Sequence, residues 1–417
     1  MIQSPDALKN VRRGIRRYQI LREEDPVDLV MLASVAANFA TDREVPIWLV
    51  IVGDPASGKT DLISLVQDWW PVWTLPDVLT EAYFFSAKTG EQSALDRIQV
   101  RRADGRGYRI MYAQDMGALM SMNRLYAPSL YAQFRSVHDG LLVKETGLTS
   151  KTQIYGVVET VQGEREPRVT PIPPAERLGW LGAATPEFYG WQARHNALGA
   201  RFMSYLHQPF ADWDDFKSLT RIDQARAEKA HWAGVTKQMV HQFLDMVLAN
   251  LEGYEGFRLT ESQSDQIAAA VRLANRVTGT RNVTDTGARL HPRVTALCRM
   301  MAFMAAKPAV SDEEITIGLR IVMSQIPADE LKILTYALSA GAEFRLPQML
   351  PAIGMTRRQV ERPLEGMVDV GILTATGQRG AIGFTYGVSP KTRRLAMVAG
   401  LRCDNVTPFK RKEGKRR

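Results

Sequence analysis

The stretch Gly53-Asp54-Pro55-Ala56-Ser57-Gly58-Lys59-Thr60 constrains this chain more than any other. It follows the apolar run Ile47–Val52 and precedes Asp61–Val66, which reads as a helix. Buried strand, glycine loop and helix therefore stand in the order that a phosphate-binding loop requires. The glycines let several backbone N–H groups converge on one phosphate chain, and the start of the helix adds partial positive charge. The pattern puts Lys59 on the β- and γ-phosphates and the Thr60 hydroxyl on Mg²⁺. The expected nucleotide site comprises Gly53, Asp54, Pro55, Ala56, Ser57, Gly58, Lys59, Thr60 and Asp61, and a nucleoside triphosphate with Mg²⁺ is the expected ligand.

At 417 residues the chain exceeds one ordinary core, so two or three domains are expected. No apolar run approaches the ~20 residues of a membrane span, and the polar start is unlike a signal peptide, so a cytoplasmic protein is expected. Cys298 and Cys403 make no ligand spacing with the six histidines, which argues against a disulfide framework or a zinc site. The net charge is +8 and the pI about 9.4. The excess lies at the ends, in Lys9, Arg12, Arg13, Arg16 and Arg17 and in the run from Lys410 to Arg417. Basic ends on a nucleotide-binding chain suit phosphate backbones, and a solvated helix face and a plain tail are the alternative.

Residues 1–45 read as helical. From 46 to 210 strands alternate with helices, as in an α/β parallel sheet, with strand-like runs at Trp48–Val52, Ala82–Phe85, Tyr108–Ala113 and Leu178–Ala183. The stretch between Asp115 and Thr185 is longer than one helix and a return strand need. Its surplus, near 150–172, holds two β-rich runs around a polar turn and reads as an inserted hairpin. Residues 211–327 are helical by period. Over 328–398 three helices and two short strands give a winged-helix layout, followed by a basic tail at 399–417.

Tyr108–Asp115 is a strand that ends in a carboxylate, and Asp115 is the choice for the second Mg²⁺ contact. Met116 follows where such sites usually carry the glutamate that polarises water; Glu145 and Asp139 are unranked substitutes. Thr185, at the end of another apolar strand, could orient water or touch the γ-phosphate. Arg201, in a glycine-marked turn, is an arginine that a neighbouring subunit could receive at its γ-phosphate.

In order and spacing these parts resemble an AAA+ ATPase, and more narrowly the minichromosome-maintenance helicase branch with its relatives in phages, plasmids and other mobile elements. Gly182-Ala183-Ala184-Thr185-Pro186 is similar to the family's sensor-one segment, and Leu198-Gly199-Ala200-Arg201-Phe202 to its arginine-finger segment. Pro292–Ala305 is similar to the sensor-two helix, and Val310–Ile315 matches the next lid helix. The resemblance spans about 45–390. It implies an α/β P-loop AAA+ core, a helical lid over 211–327, a C-terminal winged helix, and a hexamer that hydrolyses ATP to unwind DNA. It gives Arg293 the sensor-two role at the nucleotide and makes 150–172 a channel hairpin gripping DNA, with Lys151, Arg165 and Arg168 as its cations. In the third helix of the C-terminal domain, Arg357, Arg358 and Arg362 suit phosphate contacts. The chain departs from the family at Thr185, where asparagine is usual, at Met116, and in having no counterpart of the large N-terminal DNA-binding and zinc region. A primase or polymerase is a further expected partner. The alternative is a replication initiator or helicase loader that uses ATP as a switch, which Met116 favours. An AAA+ transcription activator or protein remodeller fits the basic ends less well.

Overall fold

A computed structural model describes residues 5–18, 21, 25–85, 92–103, 107–144, 153–159, 168–207, 226–279, 287–341, 343–377 and 384–401. Strand β1 (Trp48–Val52) is buried at every position. Leu49 and Ile51 enter one core while Trp48, Val50 and Val52 enter the other. A strand covered on both faces must be apolar at both parities, which is why this run shows no alternation.

β1 pairs in parallel with β8 (Gly179–Ala184), Trp48 opposite Trp180 and Val52 opposite Ala184. On its other side it pairs with β9 (Met203–Leu206), Leu49 opposite Met203. β3 (Ile110–Ala113) lies beyond β8, and β2 (Val72–Thr74) forms the edge, giving the order β2-β3-β8-β1-β9. Because all five strands are parallel, the loops after Val52, Ala113, Ala184 and Leu206 emerge at one end, where open α/β sheets bind ligands. The expected strand at Ala82–Phe85 is instead a turn, with Tyr83 N–H on the Thr80 carbonyl at 3.1 Å and Phe85 N–H on that of Ala82 at 2.9 Å. Its aromatics belong to the core without pairing: the Phe84 ring meets Phe134 edge-on at 5.2 Å.

Helices α1 (Pro5–Tyr18) and α2 (Val27–Ala37) pack into the body rather than standing apart. α2 is buried throughout, and its Asp28 is fully buried. Two arginines of α1 neutralise it, Arg12 through Nε at 2.9 Å and Nη2 at 3.1 Å, and Arg16 through Nε at 3.4 Å. An unpaired carboxylate there would cost several kcal/mol, on the order of 3–5. Two of the five N-terminal cations expected to meet phosphate thus point inward, and Lys9, Arg13 and Arg17 remain exposed.

The core is continued by α3 (Lys59–Ile63), α4 (Ala94–Ala103), α5 (Gly117–Met120), α6 (Ala127–Asp139), α7 (Glu187–Arg194) and α8 (Asn196–Gly199). Between α6 and β8, β4 (Leu142–Lys144) pairs with β5 (Gln153–Tyr155), and β6 (Val157–Glu159) with β7 (Arg168–Thr170), both antiparallel. Four long helices follow: α9 (Arg226–Leu248), α10 (Glu261–Thr278), α11 (Gly287–Met304) and α12 (Asp312–Met323). The C-terminal unit holds α13 (Ala328–Ala340), β10 (Phe344–Arg345), α14 (Leu346–Ile353), α15 (Arg357–Asp369), β11 (Leu373–Thr376), β12 (Thr385–Val388) and α16 (Pro390–Val398). Its sheet has three antiparallel strands in the order β10-β12-β11, one more than expected. Arg276 of α10 donates to the carbonyls of Val370 and Gly371 at 3.2 and 3.1 Å, tying this unit to the long helices.

Asn38 joins α2 to the start of β1. Its Nδ2 donates to Ser34 O at 2.8 Å and Ile47 O at 3.1 Å, and its Oδ1 accepts from Ile47 N at 3.0 Å and from Arg43. A Cβ on Gly179 would lie 2.3 Å from the Asn38 side chain. Gly179→Ala is therefore expected to destabilise the chain by about 3 kcal/mol. Gly234→Ala, in the exposed middle of α9 with open space around it, should instead stabilise by about 1 kcal/mol, both read from urea midpoints.

Candidate functional site

The chain turns sharply after β1. Gly53 N–H donates to Ala184 O at 3.1 Å, and a Cβ at Gly53 would lie 2.6 Å from His207 O, so only glycine fits between the two neighbouring strands. Ala56 and Gly58 have φ of +60° and +78°, and these left-handed residues turn the loop before α3. Lys59 is 7% exposed, and its Nζ donates to Asp54 O at 2.8 Å. Burial lowers the Lys59 ammonium, and Asp115, Asp54 and Glu187 offset part of that. Ser57 Oγ is buried without a hydrogen-bond partner. A close-approach glycine, two left-handed turns, an orphaned hydroxyl and a partly desolvated cation fit a phosphate chain. Thr60 and the exposed Asp115 supply the hydroxyl and carboxylate that a Mg²⁺ shared with phosphate oxygens and water requires. Among the described residues no group of three or more His, Cys, Asp or Glu could hold a metal by itself, and a Mg²⁺ held largely by phosphate needs none.

The loop is braced from below by residues that no motif marks. His207, one residue beyond β9, lies 3.2 Å from Ser57 O through Nε2 and 2.7 Å from Asp25 Oδ2 through Nδ1. Tyr205 donates to Asp25 Oδ1 at 2.6 Å. Burial raises the Asp25 carboxyl, but the hydrogen bonds from His207 and Tyr205 outweigh it and hold it below its ordinary value. The N-terminal segment thereby reaches the phosphate loop through one buried imidazole.

Asp115 follows β3, and its Oδ1 accepts from Gly117 N at 2.8 Å. Met116 is fully buried; its N–H donates to Ala183 O at 2.8 Å, and its Sδ lies 3.2 Å from where a Gly182 Cβ would be. Position 116 therefore faces the core. Thr185 directly follows β8, and its hydroxyl acts on the carboxylate of Glu187, the exposed first residue of α7. The Thr185 hydroxyl, the helix's own first backbone N–H and Lys59 hold Glu187 below its ordinary value. Glu187 was invisible as a site residue because it matches no motif; its only signal was an acid directly after a strand end and a proline.

The two arginines lie elsewhere. Arg201 precedes β9 and ion-pairs with Asp139 at the end of α6. Arg293 of α11 is 1% exposed, and donates from Nε to Pro46 O at 3.1 Å and from Nη2 to His138 Nε2 at 2.9 Å. Pro46 and Arg201 both mark the amino ends of strands, so both arginines sit at the end of the sheet opposite the phosphate loop, about 23 Å of extended chain from Gly53. The expected contact of Arg293 with nucleotide cannot be made within one chain, and the same holds for Arg201. Asp139, one expected stand-in for the missing glutamate, is likewise engaged at this far end, and Glu145 lies outside the described residues.

Of the expected DNA contacts, Lys151 and Arg165 lie outside the described residues, as does the tail from 402. Arg168 is exposed at the start of β7, opposite Glu159. On α15, Val360, Leu364 and Met367 are buried while Arg357, Arg358 and Arg362 are exposed, with Arg357 bonded to Glu361 at 2.6 Å. No family model matches the chain, and no curated protein matches it.

Proposed function

We propose that the chain is an AAA+ ATPase close to the minichromosome-maintenance branch, which assembles as a ring and moves on DNA at the expense of ATP. In this reading α9–α12 form the lid and residues 328–398 the winged helix. The observation that carries it is the division of charged groups between the two ends of one parallel sheet. Lys59, Asp115, Thr185 and Glu187 gather at the carboxyl ends of three adjacent strands, while Arg201 and Arg293 sit together at the amino ends. A phosphoryl-transfer site needs a cation on the γ-phosphate, and Arg201 can serve only a neighbour's site, which calls for head-to-tail subunits, while the buried Arg293 stays within its own chain. Arg168 and the exposed arginines of α15 suit sequence-independent phosphate contacts.

The test is strand displacement on a forked DNA, with ATP and with a non-hydrolysable analogue. Displacement only with ATP, and DNA binding that weakens steeply with salt, is the expected result. The buried Met116 favours a second reading, an initiator or loader that binds ATP as a switch; nucleotide-dependent assembly on DNA without displacement in either condition would establish it in place of the motor.

A further inference from the structure

We propose that Glu187 is the carboxylate that activates the attacking water, supplying from the end of β8 what position 116 does not supply from the end of β3. The proposal rests on the ATPase reading and names the base of that same site.

Position 116 is closed to the role by its direction. Its side chain is buried under β8 beside Gly182, and a glutamate built on this backbone would enter the core instead of the cleft. Among the described residues, three carboxylates act on the Lys59 ammonium: Asp115, Asp54 and Glu187. Asp54 belongs to the phosphate loop, and its carbonyl already holds the lysine. Asp115 accepts from Gly117 N and suits the metal. Glu187 remains, exposed at the first position of α7 and three residues beyond the end of β8. β8 lies between β3 and β1, so Glu187 stands between the strand that bears Asp115 and the strand that leads to Lys59. The rival Asp139 is held by His138 and Arg201 at the other end of the sheet.

In the step, water oxygen bonds to the γ-phosphorus as one water proton passes to the Glu187 carboxylate. The bond from the γ-phosphorus to the β–γ bridging oxygen breaks, and its electron pair leaves with ADP. Glu187 then returns the proton to the released phosphate or to solvent, and water is the only co-reactant. Thr185 is a positioning residue that acts through Glu187.

Glu187→Gln keeps the shape of an exposed side chain and is expected to cut ATP turnover by about 10²–10³-fold. Its affinity for a fluorescent ATP analogue should stay within about threefold, because binding is left to the phosphate loop. Nucleotide recovered from the variant after rapid desalting should be ATP, not ADP. Thr185→Val removes the hydroxyl that helps keep Glu187 acidic, so the acid limb of its turnover profile should move to higher pH, and Thr185→Ser should restore it. Glu187→Gln turning over at the wild-type rate, beside an inactive Lys59→Ala, would overturn the role of Glu187 alone. A wild-type chain that hydrolyses no ATP would overturn the ATPase reading with it.

Discussion

Lys59→Ala is expected to lower ATP turnover by at least about 10³-fold while the chain stays folded. The lysine donates to Asp54 O, within its own loop, so circular dichroism and the unfolding midpoint should change little. Its ammonium is nonetheless lowered by burial and only partly supported by Asp115, Asp54 and Glu187, which leaves it suited to a further anionic partner. Arg201→Ala should be inactive for a different reason, since it leaves the phosphate loop intact and removes a cation from the neighbour's site. Mixed in equal amounts and co-assembled, the two inactive variants should recover about one quarter of the wild-type sites, because in a head-to-tail ring half of the loops are intact and half of those face an intact arginine. The half-exposed Asp139 holds Arg201 in the free chain, so a neighbour's phosphate has to displace that carboxylate. Absence of recovery in verified mixed rings would show that Arg201 serves no site in trans.

The parts of the site that lie on one strand end were legible from sequence, because strand, loop and carboxylate are contiguous there. Gly53–Thr60, Asp115 and Thr185 each follow an apolar run that can only be a buried strand. What escaped depends on chain crossings that no local pattern encodes. Arg293 meets Pro46 and His138 across 247 and 155 residues, and a sequence that resembles a nucleotide-contacting helix does not reveal which end of the sheet that helix caps. His207 and Asp25, 182 residues apart, brace the phosphate loop without any spacing to mark them. The basic N-terminal helix misled in the opposite sense: Asp28 reads as an ordinary acid in a helix's first turn, yet it is the buried charge that draws Arg12 and Arg16 inward. Apolar aromatics at Ala82–Phe85 imitated a strand because burial, not pairing, selected them.

The same far-end cluster makes the chain sensitive to acid. His138 is buried, its Nε2 accepts from Arg293, and its Nδ1 lies 2.8 Å from Asp139 Oδ1, so the neutral imidazole with its proton on Nδ1 satisfies both partners. A second proton would face the Arg293 guanidinium directly. Burial, with Arg293 and Arg201 beside it, pushes the imidazole down to about 3, against the pull of Asp139. The unfolded chain takes up this proton near 6.5 and the folded chain does not, so the stability from His138 is complete above that pH and falls as the pH drops toward 3. The slope is about 1.4 kcal/mol per pH unit for one proton. Asp139, raised by burial but lowered more by His138 and Arg201, adds its loss only below its unfolded value of 3.8, so the two windows adjoin without overlapping much. His195 and His241 are also held low by burial and steepen the total, so the difference between wild type and His138→Gln isolates this site. A glutamine can still accept from Arg293 and donate to Asp139. Urea unfolding at pH 7, 5.5 and 4.5 should therefore show the variant losing stability less steeply than wild type by about one proton's worth. Equal slopes would mean that His138 is already protonated in the folded chain, and Arg293 would then need a different acceptor to remain buried.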